Sequence, residues 1–166
     1  MDRDDAFSDV LAANTEYVSQ FRLAGLEPRA RRGLAVLTCM DSRIEPLAML
    51  GLAPGDAKIV RNAGARVTDD VLRTFVLARF LLGVDRIMVV AHTRCRMAGG
   101  TEQDMRDAVR AAGGPDTDDM EFLVADDQVE ALRADVERAQ SRSYLSGIAV
   151  GGFLYDVDTG QVAQVC

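Results

Sequence analysis

Two short apolar runs do most to limit what this chain can become. LAVLTC at residues 34–39 and IMVVA within 85–91 show no polar alternation, so each predicts a strand covered on both faces, as in the middle of a parallel sheet. Between them the spacing predicts a well-punctuated helix. Thr68 supplies a hydroxyl N-cap, Asp69 and Asp70 an acidic first turn, and Val71, Leu72, Phe75, Leu77, Ala78 and Leu81 an apolar stripe that stops at Gly83. A further strand is expected at 57–61 and helices at 102–112 and 126–140. GIAVGGFLYDV and QVAQV form a closing hairpin around Asp158-Thr159-Gly160.

Strands alternating with amphipathic helices define the fold class. It is α/β, with a mostly parallel central β-sheet flanked by helices and an antiparallel edge at the C-terminus. A length of 166 residues suits one core, so 1–166 is read as a single domain. The Gly113-Gly114-Pro115-Asp116 stretch reads as a surface loop within that domain, not a linker. Residues 5–22 place Val10, Leu11, Asn14, Tyr17, Val18 and Phe21 three and four apart, which predicts an amphipathic N-terminal helix in need of a surface to dock on.

Charge and cysteine usage narrow the setting. A formal net charge of -7 argues against nucleic acid and against an anionic membrane as partner, because both require a basic face. The opening MDRDDAFSDV lacks the basic-then-apolar order of a signal peptide, and no apolar run is long enough to cross a bilayer. A cytoplasmic protein is therefore expected. There, three cysteines are ligands or free thiols before they are a disulfide framework.

The chemistry centres on the chain's single histidine, which lies in His92-Thr93-Arg94-Cys95 directly after the second buried run. Chemistry in such sheets gathers at the carboxyl ends of strands, and Cys39 ends the first run at that same edge. Cys39, His92 and Cys95 make a Cys2His set that can hold zinc and leave a fourth position open. The plain alternative is a hydrogen-bonded core histidine with cysteines acting as small hydrophobes. Asp41 and Arg43 follow within Cys39-Met40-Asp41-Ser42-Arg43, where carboxylate and guanidinium can pair side by side. That pair serves either to fix the loop or to act at the site, and the aspartate is also a potential fourth ligand. A thiol-redox role for Cys39 and Cys95 lacks a C-x-x-C motif. Cys166 reads as a free thiol.

Taken together, C-M-D-S-R at 39–43, R-N-A-G at 61–64 and H-T-x-C at 92–95 resemble the small, zinc-dependent β-carbonic anhydrases in content, order and spacing. The likeness continues through Gly64-Ala65-Arg66-Val67-Thr68-Asp69-Asp70 and covers most of the chain. The resemblance implies zinc as cofactor, held by Cys39, His92 and Cys95, with Asp41 and Arg43 as catalytic residues. Arginine then keeps the aspartate off the metal so that water or hydroxide occupies the fourth position. It implies reversible hydration of carbon dioxide to bicarbonate and a proton. It also implies a homodimer or larger assembly in which the helix at 5–22 reaches over the neighbour.

Two alternatives accompany it: hydrolysis of carbonyl sulfide or carbon disulfide at the same site, and a noncatalytic zinc-stabilised module that binds bicarbonate or a partner, with Asp41 on the metal. Two residues depart from the family's usual H-T-D-C-G-M. Either Arg96 crowds the site, or Arg94 and Arg96 point outward to solvent or pair with acidic residues such as Asp104. With no second histidine to export protons, turnover is expected to depend on buffer, and activity to rise with pH.

Overall fold

The computed structural model describes residues 6–166. The start of the N-terminal helix expected at Asp5 lies outside them. The described helix, α1, spans Ser8–Ser19 and buries none of its side chains against its own chain. Val10, Leu11 and Val18 are each more than half exposed. Its apolar stripe is therefore a property of the sequence that the single chain leaves unpartnered.

Five strands form one sheet: β1 (Leu34–Cys39), β2 (Ala57–Asn62), β3 (Arg86–His92), β4 (Ala149–Tyr155) and β5 (Val162–Gln164). Their order is β2-β1-β3-β4-β5, parallel throughout except for the antiparallel β4–β5 pair that closes the chain. This matches the expected architecture. LAVLTC is buried at all six positions, as its unbroken apolarity requires.

Between the strands lie α2 (Pro46–Met49), α3 (Asp69–Leu82), α4 (Glu102–Ala111) and α5 (Gln128–Gln140). The start of α3 follows from its first residues: Thr68 caps it by accepting from the Val71 amide at 3.4 Å. Gly83 ends it in the left-handed conformation, where a Cβ would be strained. Thr101 and Asp104 form a reciprocal capping box at the start of α4. Asp127 caps α5 by accepting from the amides of Val129 and Glu130. The one-turn α2 and the short 3-10 turns at Ala63–Ala65 and Ser143–Leu145 have no counterpart in the sequence reading.

Strand alternation sorts the side chains onto two faces. On one face Ala35, Leu37, Ile87, Val89 and Val150 pack beneath α3 and α5, through Leu72, Phe75, Leu132 and Val136. The other carries Leu34, Val36 and Val90, with Met49, Leu50, Leu52, Met88 and Phe153 against them. The order in which strands are added reverses between β1 and β3, since β2 lies on one side of β1 while β3 and β4 continue on the other. The crevice at the carboxyl ends of β1 and β3 is therefore a topological switch point, where open α/β sheets bind ligands.

Candidate metal centre

Cys39 is the last residue of β1, and His92 is the last residue of β3, one place earlier than the sequence reading put it. Cys95 follows in the turn. All three are buried, and their donor atoms lie within 4.8 Å of one another. A small apolar cluster of Ile44, Met97, Phe122 and Val124 packs around the cysteines.

The geometry fits a metal. His92 Nδ1 lies 2.9 Å from the Thr93 carbonyl oxygen, which can only accept, so Nδ1 carries the proton. Nε2 is then a bare lone pair, and it is buried with no hydrogen-bond partner. A buried, unpartnered polar atom is costly unless something else satisfies it. The Cys39 and Cys95 sulfurs stand 3.9 Å apart. Two sulfurs each about 2.3 Å from one tetrahedral zinc would stand about 3.8 Å apart. Donor chemistry, spacing and the orphaned lone pair thus all fit a zinc ion, which Cys39, His92 and Cys95 could hold.

The site also prepares its donors. The hydrogen bond from Cys95 drives the Cys39 thiol well below its ordinary value against the opposing effect of burial, helped by His92 and by the backbone amides of Gly64 and Asp41. Sharing that bond, together with burial, pushes the Cys95 thiol up. Burial pulls the His92 pKa down, yet the negative charge of the Cys39 thiolate close beside it leaves it raised overall.

Asp41 and Arg43 form the side-by-side pair that their spacing suggests. Arg43 Nε donates to Asp41 Oδ1 at 2.9 Å and Nη2 to Oδ2 at 2.7 Å, while the Arg43 amide donates to Oδ1 at 2.9 Å. The guanidinium bonds, then that amide, hold the Asp41 carboxyl well below the usual carboxylate range. Arg43 is anchored in turn by donating to the Arg94 carbonyl at 3.1 Å. Asp41 Oδ2 sits 3.9 Å from His92 Nε2, beside the donor triad and not within it.

R-N-A-G, read from sequence only as part of a likeness, has concrete work here. Arg61 donates to the carbonyls of Cys39 and Asp41 at 2.9 and 2.7 Å, which fixes the ligand loop from the neighbouring strand. The Asn62 side chain exchanges two hydrogen bonds with the Arg66 backbone, at 2.7 and 2.9 Å. These close a turn around Gly64, whose φ of +77° suits glycine and where a Cβ would lie 3.1 Å from Met97 Cβ. Arg66 then donates to Asp135 at 2.6 Å and to the Leu123 carbonyl at 2.6 Å, tying α5 and the loop after α4 to the site. Glu102 accepts from the amides of Phe122 and Val124, pinning that same loop. Sequence reasoning missed the roles of Arg66, Asp135 and Glu102, which lie far apart in the chain.

Arg94 and Arg96 are both exposed, so neither crowds the metal centre. The suggested partner needs correction. Asp104 is committed to Thr101 at the start of α4, and Arg94 instead meets Asp158 at 2.7 Å.

Comparison with known proteins agrees with this geometry. The family model for carbonic anhydrase matches residues 34–114. Beta-carbonic anhydrase 1 of Mycobacterium tuberculosis is 33% identical over 160 residues, covering 95% of this chain and 96% of that protein. A carbon disulfide hydrolase of Acidithiobacillus thiooxidans is 36% identical over 114 residues, but those span only 65% of this chain and 52% of the hydrolase. Among solved structures, the carbonic anhydrase of Streptococcus mutans superposes with a TM-score of 0.89 at 37% identity, covering 96% of this chain and 97% of that one.

Proposed function

The chain belongs to the β-carbonic anhydrase family, and on that basis we propose that it hydrates carbon dioxide reversibly to bicarbonate and a proton at zinc held by Cys39, His92 and Cys95. The observation that carries this reading is the buried, unpartnered His92 Nε2, grouped with two cysteine sulfurs beside an aspartate that arginine holds aside. Zinc, when bound, supplies a Lewis acid that lowers the pKa of water from about 15.7 to about 7.

The protein's own residues do the rest. His92 keeps its proton on Nδ1 by donating to Thr93, which aims Nε2 at the centre. Arg43 holds Asp41 off the triad with both guanidinium edges. Asp41 thereby remains an ionised acceptor: its Oδ2 takes the O–H of the attacking water and turns the lone pair toward the substrate carbon. The noncatalytic alternative requires Asp41 on the metal, and three hydrogen bonds from Arg43 oppose that. No second histidine stands ready to carry the proton away, so its export falls to Asp, Glu, Tyr, a water chain or external buffer.

The protein acts as a homodimer or larger assembly, with α1 lying on a neighbouring subunit. Support comes from the exposed stripe of Val10, Leu11, Tyr17 and Val18. An open cleft of about 400 Å³ on the sheet face of Leu34, Leu52, Met88 and Phe153 offers an apolar surface for such a helix. A cytoplasmic setting suits two thiols 3.9 Å apart that must stay reduced to hold a metal. Among the described residues no helix is long and apolar enough to cross a membrane.

The likeness to carbon disulfide hydrolases favours a second reading, attack on carbon disulfide or carbonyl sulfide by the same residues. Stopped-flow hydration of carbon dioxide across pH, on protein of verified zinc content and beside Cys95→Ser, tests the first reading. Zinc-dependent hydration lost in the variant is expected. A full zinc complement with no hydration at any pH, and sulfide release from the sulfur substrates instead, would replace the first reading with the second.

A further inference from the structure

Three arginines stand on the loops that deliver the two cysteines, and two of them are already committed. Arg43 holds Asp41, and Arg94 holds Asp158. Arg96, next to Cys95, has no carboxylate or carbonyl partner among the described residues. It is exposed, and it shares with Cys95, Gly99, Gly100 and Asp104 the wall of a cleft of about 400 Å³. Part of that wall is bare: a Cβ built on Gly99 would meet nothing within 4 Å.

The charge balance of the cleft favours an anion. Its one carboxylate, Asp104, turns back onto the start of α4, where Oδ2 accepts from the Thr101 amide at 2.9 Å and the Thr101 hydroxyl at 2.7 Å. There its charge is set against the positive end of the helix. Arg96 therefore remains the unpaired charge on this wall. A guanidinium presents a planar fork that matches a planar, two-oxygen anion, and it gives nothing comparable to a neutral linear molecule.

We propose that Arg96 is a specificity-determining residue that recruits bicarbonate to the cleft beside Cys95, favouring the anionic partner of the reaction over carbon dioxide. This rests on the carbonic anhydrase reading. In its consequence the protein binds bicarbonate more tightly, and is inhibited by its product at lower concentration, than it would with an uncharged residue at this position.

The test compares wild type, Arg96→Ala and Arg96→Lys, each of verified zinc content. The readouts are the bicarbonate KM in dehydration, the bicarbonate inhibition constant in hydration, and the line width of 13C-labelled bicarbonate in the presence of protein. At about 10 mM ionic strength, where charges reach about 30 Å, Arg96→Ala should raise both constants about two- to fivefold and narrow the line. Arg96→Lys, which keeps the charge and loses the fork, should fall between. The gap should close at about 1 M salt, a screening behaviour that a merely structural role would not produce. Wild-type constants and line width in Arg96→Ala at low salt would overturn the proposal. Should the zinc-loaded protein turn over in neither direction, the carbonic anhydrase reading fails by itself, and the line-width comparison still decides whether Arg96 holds the anion.

Discussion

Asp135→Ala should destabilise the protein strongly although Asp135 is not a ligand of the proposed metal. Its carboxylate sits 2.6 Å from Arg66, and the two side chains are only 7% and 20% exposed. Removing one partner of a fully buried ion pair costs about 3–5 kcal/mol, because the survivor is left charged without compensation. Two features lower the figure here. Arg66 keeps its bond to the Leu123 carbonyl, and a fifth of its side chain reaches water. About 2–3 kcal/mol is therefore expected, and about 1 kcal/mol for Asp135→Asn, which retains an acceptor. The assay is urea unfolding of the zinc-saturated protein at one fixed protomer concentration, since assembly makes the midpoint concentration-dependent. The loss should appear as a lower midpoint with an unchanged slope. Joint replacement, Arg66→Met with Asp135→Leu, should recover much of it. A value for Asp135→Ala within about 0.5 kcal/mol of wild type, the range of an ordinary surface change, would refute the reasoning.

Other consequences can be tested with the same protein. Arg43→Ala frees Asp41 and should lower hydration about ten- to a hundredfold while zinc is retained, read by stopped flow and metal analysis. Gly64→Ala places a Cβ at φ +77° and 3.1 Å from Met97, and should cost about 1–3 kcal/mol and speed zinc loss to a chelator. Glu102 is held below its ordinary value by the amides of Phe122 and Val124, so the stability it confers is complete above its unfolded pKa of about 4.3 and is lost as pH falls through the lower folded value. Hydrogen-exchange protection at Phe122 and Val124 should fall in acid accordingly, and at neutral pH in Glu102→Gln. Turnover should rise with buffer concentration, and a rate independent of buffer would show that a side chain exports the proton.

What sequence reveals of this molecule follows the range of the interactions involved. The strand at 34–39 and the limits of α3 are legible because burial on both faces, a hydroxyl cap and a glycine stop are all written within a few residues. The grouping of Cys39, His92 and Cys95 is legible for a related reason: each lies at or just beyond a strand end, and a parallel sheet brings those ends to one edge. The contacts that secure the triad are not legible. Arg66 meets Asp135 across 69 residues, and Arg61 reaches back 20 residues to the Asp41 carbonyl. Nothing local in either segment names its partner. Arg94 illustrates the hazard, since Asp104 is the nearer acid in sequence while the hairpin delivers Asp158 in space. The short α2 turn was missed because four residues carry no periodicity.

The separation of the ligands along the chain also bears on how the molecule is made. His92 and Cys95 are local, but Cys39 lies 56 residues before Cys95 and reaches it only once β1 and β3 have paired. An unfolded chain therefore offers the metal two neighbouring donors and a third at the cost of closing a long loop. Zinc held by these three residues would complete its site only once the sheet has assembled, so added zinc should slow unfolding more than it speeds refolding.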